Sequence, residues 1–282
     1  MADRTALISG ASTGIGRASA VRLANAGWDV YAGVRKKADG ESVRAESPDR
    51  ITPVILDVTD AGTIDSAAKT VRAAVGSSGL HGLVNNAGIT VQGPLEFLPI
   101  DELRRQFEVN VIGQVALTQA VMPEIRAATG RIVNMGSVGG RVAHPFVGPY
   151  NASKFAIEAI TDSMRKELRP WNIHVIVIEP GSMATEIWDK GARTADDLLE
   201  KIGPRGRELY GGLLEKLREV ARKTGERGGS PDKVASVVET ALTSDRPRTR
   251  YLVGPDAKAQ VVLSTLLPDR AFDALEARFL ER

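Results

Sequence analysis

Thr5-Ala6-Leu7-Ile8-Ser9 reads as a short buried strand that runs straight into Gly10-Ala11-Ser12-Thr13-Gly14-Ile15-Gly16 and then into a helical stretch from Arg17 to Ala26. An apolar run of that length, followed at once by a glycine-rich turn and a helix, commits the chain to open as a strand-turn-helix unit. Glycines let the backbone come close to an anion. The free N–H groups and positive dipole end of the following helix favour negative charge, so the turn is a candidate phosphate cradle. Its spacing is G-x-x-x-G-x-G, and taken alone it could also be only a tight strand-to-helix connection.

The same alternation continues down the chain. Strand-like runs near residues 4–9, 28–34, 51–56, 80–84, 130–136, 172–178 and 249–253 are separated by helical stretches, and parallel strands need such crossovers. The expectation is an α/β fold, a Rossmann-type doubly wound parallel sheet of about seven strands in a single domain. At 282 residues and 43% hydrophobic the chain can bury a core of that size, and 28 Gly suit many strand-to-helix turns. Ligands of such sheets gather beyond the carboxyl ends of the strands, where Gly10 to Gly16, Asn85 to Gly88, Ser137 and Pro180 to Thr185 would fall.

Tyr150 and Lys154 are four residues apart, thirteen and seventeen after Ser137, and on a helix they share one face. A phenol near pKa 10 is a poor acid-base catalyst at neutral pH; moving it to about 7 or 8 takes roughly 3 to 4 kcal/mol. One ammonium at about 4 to 5 Å and an effective dielectric near 20 supplies about that much, so the pair suffices for proton transfer. A rival reading uses the glycine turn differently: Gly10-Ala11-Ser12-Thr13-Gly14 also fits the G-x-S-x-G elbow of the α/β-hydrolases. Only nine residues precede it, and the His of a triad would have to be His81, His144 or His174, the last in a strand-like apolar run.

Asn85-Asn86-Ala87-Gly88, Asn110 and Pro180-Gly181-Ser182-Met183-Ala184-Thr185, with the glycine turn, Ser137, Tyr150 and Lys154, stand in an order and spacing that resembles the short-chain dehydrogenase/reductase family over residues 4 to 185. The resemblance implies that Ser137 binds the substrate oxygen, Tyr150 exchanges its proton, Lys154 lowers the Tyr pKa and holds the nicotinamide ribose, and Asn110 supports a water relay. It implies a dinucleotide against Gly10, Ser12, Thr13, Gly14, Ile15, Gly16, Asp57, Val58, Asn86, Ala87, Gly88, Tyr150, Lys154, Pro180, Gly181, Met183 and Thr185. For Asp57, capping the following turn is an equally physical role. The tail Tyr251 to Lys258 with Leu266-Leu267-Pro268-Asp269-Arg270 is more loosely similar to the steroid- and retinoid-active branch.

The second strand-like run ends Gly33-Val34-Arg35-Lys36-Lys37, with no acid to accept ribose hydroxyls and three cations in a row. NADP(H) is therefore expected over NAD(H), with Arg35 the leading 2′-phosphate ligand. Zero Cys excludes disulfides, thiol catalysis and Cys-ligated zinc, and no metal is expected. The strand expected at about Thr5 leaves no room for a cleavable signal, so a cytoplasmic enzyme is expected. The sequon Asn151-Ala152-Ser153 is then accidental. The longest apolar runs are strand-sized, so no membrane span is expected. Arg246, Arg248 and Arg250, at period two, are read as a solvated edge and not as a nucleic-acid surface.

Residues 183–229 hold an insert with Ile187, Trp188, Leu198, Leu199, Ile202, Leu209, Tyr210, Leu213, Leu214 and Leu217, expected to lid a hydrophobic alcohol or ketone pocket. The insert belongs to a catalytic domain of residues 1–255. Residues 256–282 form a helical extension whose Leu263, Leu266, Leu267, Phe272, Leu275, Phe279 and Leu280 suit packing on the lid or on another subunit, a homodimer or homotetramer. The expected activity is hydride transfer between NADP(H) and a hydrophobic secondary alcohol or ketone. Its alternatives are an NAD-dependent relative and a catalytically silent nucleotide-sensing scaffold.

Overall fold

The computed structural model describes residues 4–185 and 203–281. Strands and helices alternate as β1 (Thr5–Ile8), α1 (Gly14–Asn25), β2 (Asp29–Val34), α2 (Lys37–Arg44), β3 (Ile51–Ile55), α3 (Ala61–Val75) and β4 (Gly82–Asn85). Then come α4 (Ile100–Phe107), α5 (Gly113–Ala128), β5 (Arg131–Met135), α6 (Gly148–Glu167) and β6 (His174–Pro180). The chain continues with α7 (Gly203–Arg227), α8 (Pro231–Thr243), β7 (Arg250–Val253), α9 (Pro255–Leu266) and α10 (Asp269–Glu281). Every pairing is parallel, in the order β3-β2-β1-β4-β5-β6-β7. The order reverses between β1 and β4, which opens a crevice at their carboxyl ends.

A parallel sheet is covered on both faces, so its strands are apolar throughout and not alternating; all four residues of β1 are buried. One face carries Ile8, Val84, Val133, Ile176 and Ile178 against Ala20 and Leu23 of α1 and Val234, Val238 and Leu242 of α8. The other carries Leu7, Leu83, Ile132 and Val175 against Ile64 and Val71 of α3 and Leu117, Val121 and Ile125 of α5. Local signals bound the helices: Asp60 caps α3 by accepting from Gly62 N and Thr63 N, and Ser230 caps α8 just before Pro231.

A small separate cluster of Val91, Leu98 and Leu214, with Phe97, Phe146 and Tyr210 against it, seats α7 over the loop after β4. Tyr210 packs edge-on to both Phe97 and Phe146, each at 5.9 Å, and donates to Glu96 at 2.7 Å. Of the insert's apolar residues, Ile187, Trp188, Leu198, Leu199 and Ile202 lie outside the described residues, as do the side chains of Leu217, Phe279 and Leu280. The solvated-edge reading of the arginines needs correction. Arg246 and Arg248 precede β7, and Arg250 turns inward to ion pairs with Glu158 and Asp162 on α6.

Candidate active site

The glycine turn is held by backbone packed on backbone. Gly10 and Gly14 have φ of +66° and +55°, a region a Cβ disfavours. Asn86 closes the turn, its Nδ2 donating to Ser9 O at 3.1 Å and Gly10 O at 3.0 Å, while Ser9 Oγ accepts from the N–H groups of Asn86 and Ala87, each at 3.0 Å. Gly16, in the first turn of α1, leaves space for that clasp. At the mouth of the helix, Thr13 makes no side-chain cap and the first turn holds no acid. The amide donors of α1 therefore point at a concave turn with no intrinsic anion, which fits a dinucleotide pyrophosphate. Ser12, Thr13 and Ile15 are half-buried around it.

Neighbouring segments converge on the same crevice. Thr185 reaches α1, its Cβ and Cγ2 being 3.3 Å from where a Cβ on Gly14 would stand. The Pro180–Thr185 segment is pinned by Gly181 N to Val253 O at 2.8 Å and by Ser182 N to Asp256 Oδ2 at 2.7 Å. Met183 is buried and bridges to Gly229. Asp57 caps the turn after β3, its Oδ1 accepting from Thr59 N at 3.0 Å and Thr59 Oγ1 at 2.8 Å. Val58 is buried, its carbonyl close against Gly113. Arg35 is exposed at the end of β2, just ahead of an α2 N-terminus that also lacks a side-chain cap.

The expected catalytic residues lie on three elements. Asn110 sits in a π-helical turn, Glu108–Ile112, that interrupts the continuous rod of α4 and α5. Such a bulge costs regular hydrogen bonding and re-aims a side chain. Asn110 accepts from Ile89 N at 2.9 Å and donates to Ile89 O and Ser153 Oγ, each at 3.1 Å, beside Gly88. Ser137 begins a tight turn after β5, its Oγ accepting from Gly139 N at 3.0 Å. Tyr150 and Lys154 share a face of α6. Lys154 Nζ is 5.6 Å from the Tyr150 ring centre and donates to Met135 O at 2.7 Å.

Burial pushes the Tyr150 phenol up, and a hydrogen bond from Ser137 pulls it back. Lys154 is pulled down to about 8 by loss of water, opposed by Glu158 one turn along the helix. Glu158 is pushed up to about 7, by burial first and then by Glu179, against the pull of Arg250. The site thus pairs a protonated phenol that has its own hydroxyl partner with an ammonium close to releasing its proton.

Sequence reasoning overlooked several supports. Ser9 and Asp256 hold the turns that flank the crevice. Gln106 and Gln114 brace the loop after Asn86, bonding Val91 N, Ile89 O and Ala87 O; polar residues buried on a helix face were the available signal. Asn151 is buried with its amide spent on Gly139 O and Val142 O, which leaves the sequon no exposed acceptor. The histidines of the hydrolase reading lie apart from Ser12. His81 bonds Thr5, His174 starts β6, and His144 joins Glu276 of α10 at 2.5 Å and Gln260 of α9 at 3.0 Å. Among the described residues no cluster of three metal-ligating side chains occurs, and no helix is long and apolar enough to cross a membrane.

A family model for short chain dehydrogenases matches residues 4–196. An NADPH-dependent 3-dehydrocapnine reductase of Ornithobacterium rhinotracheale is 33% identical, the match covering 99% of this chain and 98% of that protein. Retinol dehydrogenase 5 of Mus musculus is 35% identical over 99% of this chain and 90% of its own length. The crystal structure of a short chain dehydrogenase/reductase from Burkholderia phymatum in complex with NAD superposes with a TM-score of 0.78 at 25% identity, covering 93% of this chain and 92% of that one. With glycine turn, Asn86 clasp and Ser137–Tyr150–Lys154 on one parallel sheet, the chain belongs to the short-chain dehydrogenase/reductase family, oxidoreductases acting on CH–OH groups, and within it is similar to the retinoid- and steroid-active branch.

Proposed function

We propose that the protein interconverts a hydrophobic secondary alcohol and its ketone with NADP(H), Tyr150 serving as general acid and base. The observation that carries this reading is the Tyr150 phenol one turn from the buried Lys154 ammonium, 5.6 Å from its ring centre, on the helix that faces the Ser137 turn. Gly10, Ser12, Thr13, Gly14, Ile15 and Gly16 would hold the pyrophosphate. Asp57, Val58, Asn86, Ala87 and Gly88 would flank the adenine half, and Pro180, Gly181, Met183 and Thr185 the nicotinamide half, with Lys154 on the ribose. When bound, the nicotinamide supplies or accepts the hydride. Ser137 fixes the substrate oxygen by a hydrogen bond, and Tyr150 gives that oxygen a proton in reduction or takes it in oxidation. Lys154, when charged, favours the phenolate and eases the return of Tyr150 to its proton-poor form. Asn110, bonded to Ser153 and to the loop at Ile89, would support a water relay that carries the proton onward.

The substrate class is supported by the apolar roof of Val91, Leu98, Phe97, Phe146, Tyr210 and Leu214, with α7 as lid. NADP(H) is supported by exposed Arg35 at the bare N-terminus of α2, and by the NADPH-dependent reductase among the relatives. Division into a catalytic domain of residues 1–255 and an extension of 256–282, a cytoplasmic setting and self-association complete the proposal. Exposed Ile112 and Phe155 are apolar side chains that association would cover. The test is Tyr150→Phe, assayed by nicotinamide absorbance against retinoid, steroid and aliphatic ketones. Rate should fall at least about a hundredfold with cofactor affinity nearly unchanged, since only the proton donor is lost. Retained turnover in the variant would end this mechanism.

A further inference from the structure

Among the described residues, three other than glycine hold a positive φ: Thr129 at +48°, Phe146 at +65° and Asn172 at +56°. Thr129 closes α5 and Asn172 closes the short turn Arg169–Trp171, and a left-handed residue is a common way to end a helix. Phe146 ends no helix. It lies in the loop between Ser137 and Tyr150, just ahead of α6, and directly follows Pro145. A proline followed by a positive φ is the pattern of a type II turn, whose third residue is ordinarily Gly or Asn. An aromatic residue in that place is strained, and such strain persists only where the surroundings over-determine it.

Bonds on both sides of the turn impose it. Upstream, the His144 amide donates to Asn151 Oδ1 at 3.1 Å, and its ring meets Gln260 of α9 and Glu276 of α10. Downstream, Val147 O accepts from Asn151 N at 2.9 Å in the first turn of α6, and Leu95 Cδ1 would stand 3.0 Å from a Cβ on Gly148. At Phe146 itself the carbonyl accepts from Gly93 N at 2.7 Å, which ties together the loops that leave β4 and β5. The ring packs on the cluster of Val91, Leu98 and Leu214 and stands edge-on to Tyr210, one turn from Leu214 on α7. Glycine would make the same turn without strain, but would leave no ring where the lid meets the loop.

We infer that Phe146 is a specificity-determining residue: its ring, fixed by the strained turn, bounds the apolar pocket at the seam between α7 and the loop from Ser137 to Tyr150. It thereby sets how long an apolar chain a ketone or alcohol substrate can carry on that side. This rests on the reading of the apolar roof as the substrate pocket. A wall that must not yield to the substrate is better fixed by backbone tied on both sides than by the packing of a free rotamer, and that gives the strain a physical reason.

The test titrates methyl ketones of rising chain length, from methyl propyl to methyl dodecyl ketone, into the full chain with NADP⁺ present, and reads binding by calorimetry, which needs no turnover. In wild type the affinity should rise with each methylene and level off where the chain meets the ring. In Phe146→Ala it should go on rising past that length, by up to about fourfold for each further methylene buried, so that the longest ketone binds at least about tenfold tighter than to wild type. Phe146→Leu, which keeps most of the bulk, should level off near the wild-type length. Should the alanine variant not fold, Phe146→Gly, which the left-handed backbone accepts without strain, carries the same expectation and the same refutation. No levelling-off in wild type, an unchanged length limit in the truncated variant, or an equal loss at every chain length overturns the inference. Wild type that binds none of the series sinks the pocket reading and the inference with it. Tyr150→Phe, assayed in parallel for turnover, separates the mechanism from both: activity surviving in it ends the proton-transfer role, whereas the length profile still decides Phe146.

Discussion

Replacing Gly16 by Ala tests whether the dinucleotide turn is held by close backbone approach. The added Cβ would fall on the Gly10 carbonyl oxygen, 2.9 Å from Gly10 C and 2.5 Å from Asn86 Nδ2. Both neighbours are fixed, one as backbone in a left-handed conformation and the other by two hydrogen bonds. Because the Cβ meets both, relief requires that α1 shift from Gly10 and that Asn86 release Ser9 and Gly10. Two lost hydrogen bonds cost about 1 kcal/mol each, and overpacking about 1 to 3 kcal/mol. Ala in a helix recovers about 1 kcal/mol, so the net destabilisation should be about 2 to 4 kcal/mol. Gly211→Ala is the control, because among the described residues nothing outside its own helix backbone lies within 4 Å of its would-be Cβ in α7, and it should be neutral or stabilising by up to about 1 kcal/mol. Urea unfolding followed by circular dichroism measures both, and NADPH titration should show Gly16→Ala at least about tenfold weaker. If Gly16→Ala unfolds within about 0.5 kcal/mol of wild type and binds NADPH equally, the turn is more yielding than argued and the Asn86 clasp is not its keystone.

Arg35→Ala should weaken NADPH about ten- to a hundredfold by calorimetry and leave NADH nearly untouched; equal losses for both would withdraw the NADP assignment. It is a cleaner probe than an acid at position 34, since Val34 is buried and would place a carboxylate in the core. Leu214→Ala, which opens the small cluster under α7, should raise KM for bulky apolar ketones at least about threefold more than for small ones, and a loss independent of substrate size would assign Leu214 to folding alone. Stability should depend on pH through Glu158. Its folded pKa of about 7 lies above the ordinary 4.5, so the native state keeps a proton that the unfolded chain releases, and stability falls as pH rises from about 4.5 to 7. Lys154, lowered from 10.5 to about 8, acts in the opposite sense, adding stability as pH rises across that higher window. Urea midpoints from pH 5 to 7 should therefore slope less in Glu158→Gln, and matching slopes would contradict the assignment.

The architecture was legible because a covered parallel strand is a plain apolar run. Residues 28–34 and 51–56 were expected as strands and became Asp29–Val34 and Ile51–Ile55, since nothing else buries such segments. The run at 172–178 moved to His174–Pro180 because Asn172 takes a left-handed turn after α6, delaying the strand. The residues of the crevice were legible for a related reason: each stands in the few positions after a strand, where a parallel sheet leaves backbone groups free. The charge cluster was not. Arg250 meets Glu158 across 92 residues, and an arginine next to a strand end gives no local sign of facing inward. Nor did helical periodicity announce the π turn at Asn110, because one extra residue in a turn leaves the apolar pattern nearly intact.

His144 lies six residues ahead of Tyr150, yet its two ring nitrogens meet Gln260 of α9 and Glu276 of α10, 116 and 132 residues further along. The loop between Ser137 and Tyr150 therefore takes part of its outer wall from helices remote in sequence, so a substitution in α9 or α10 is felt in the middle of the chain.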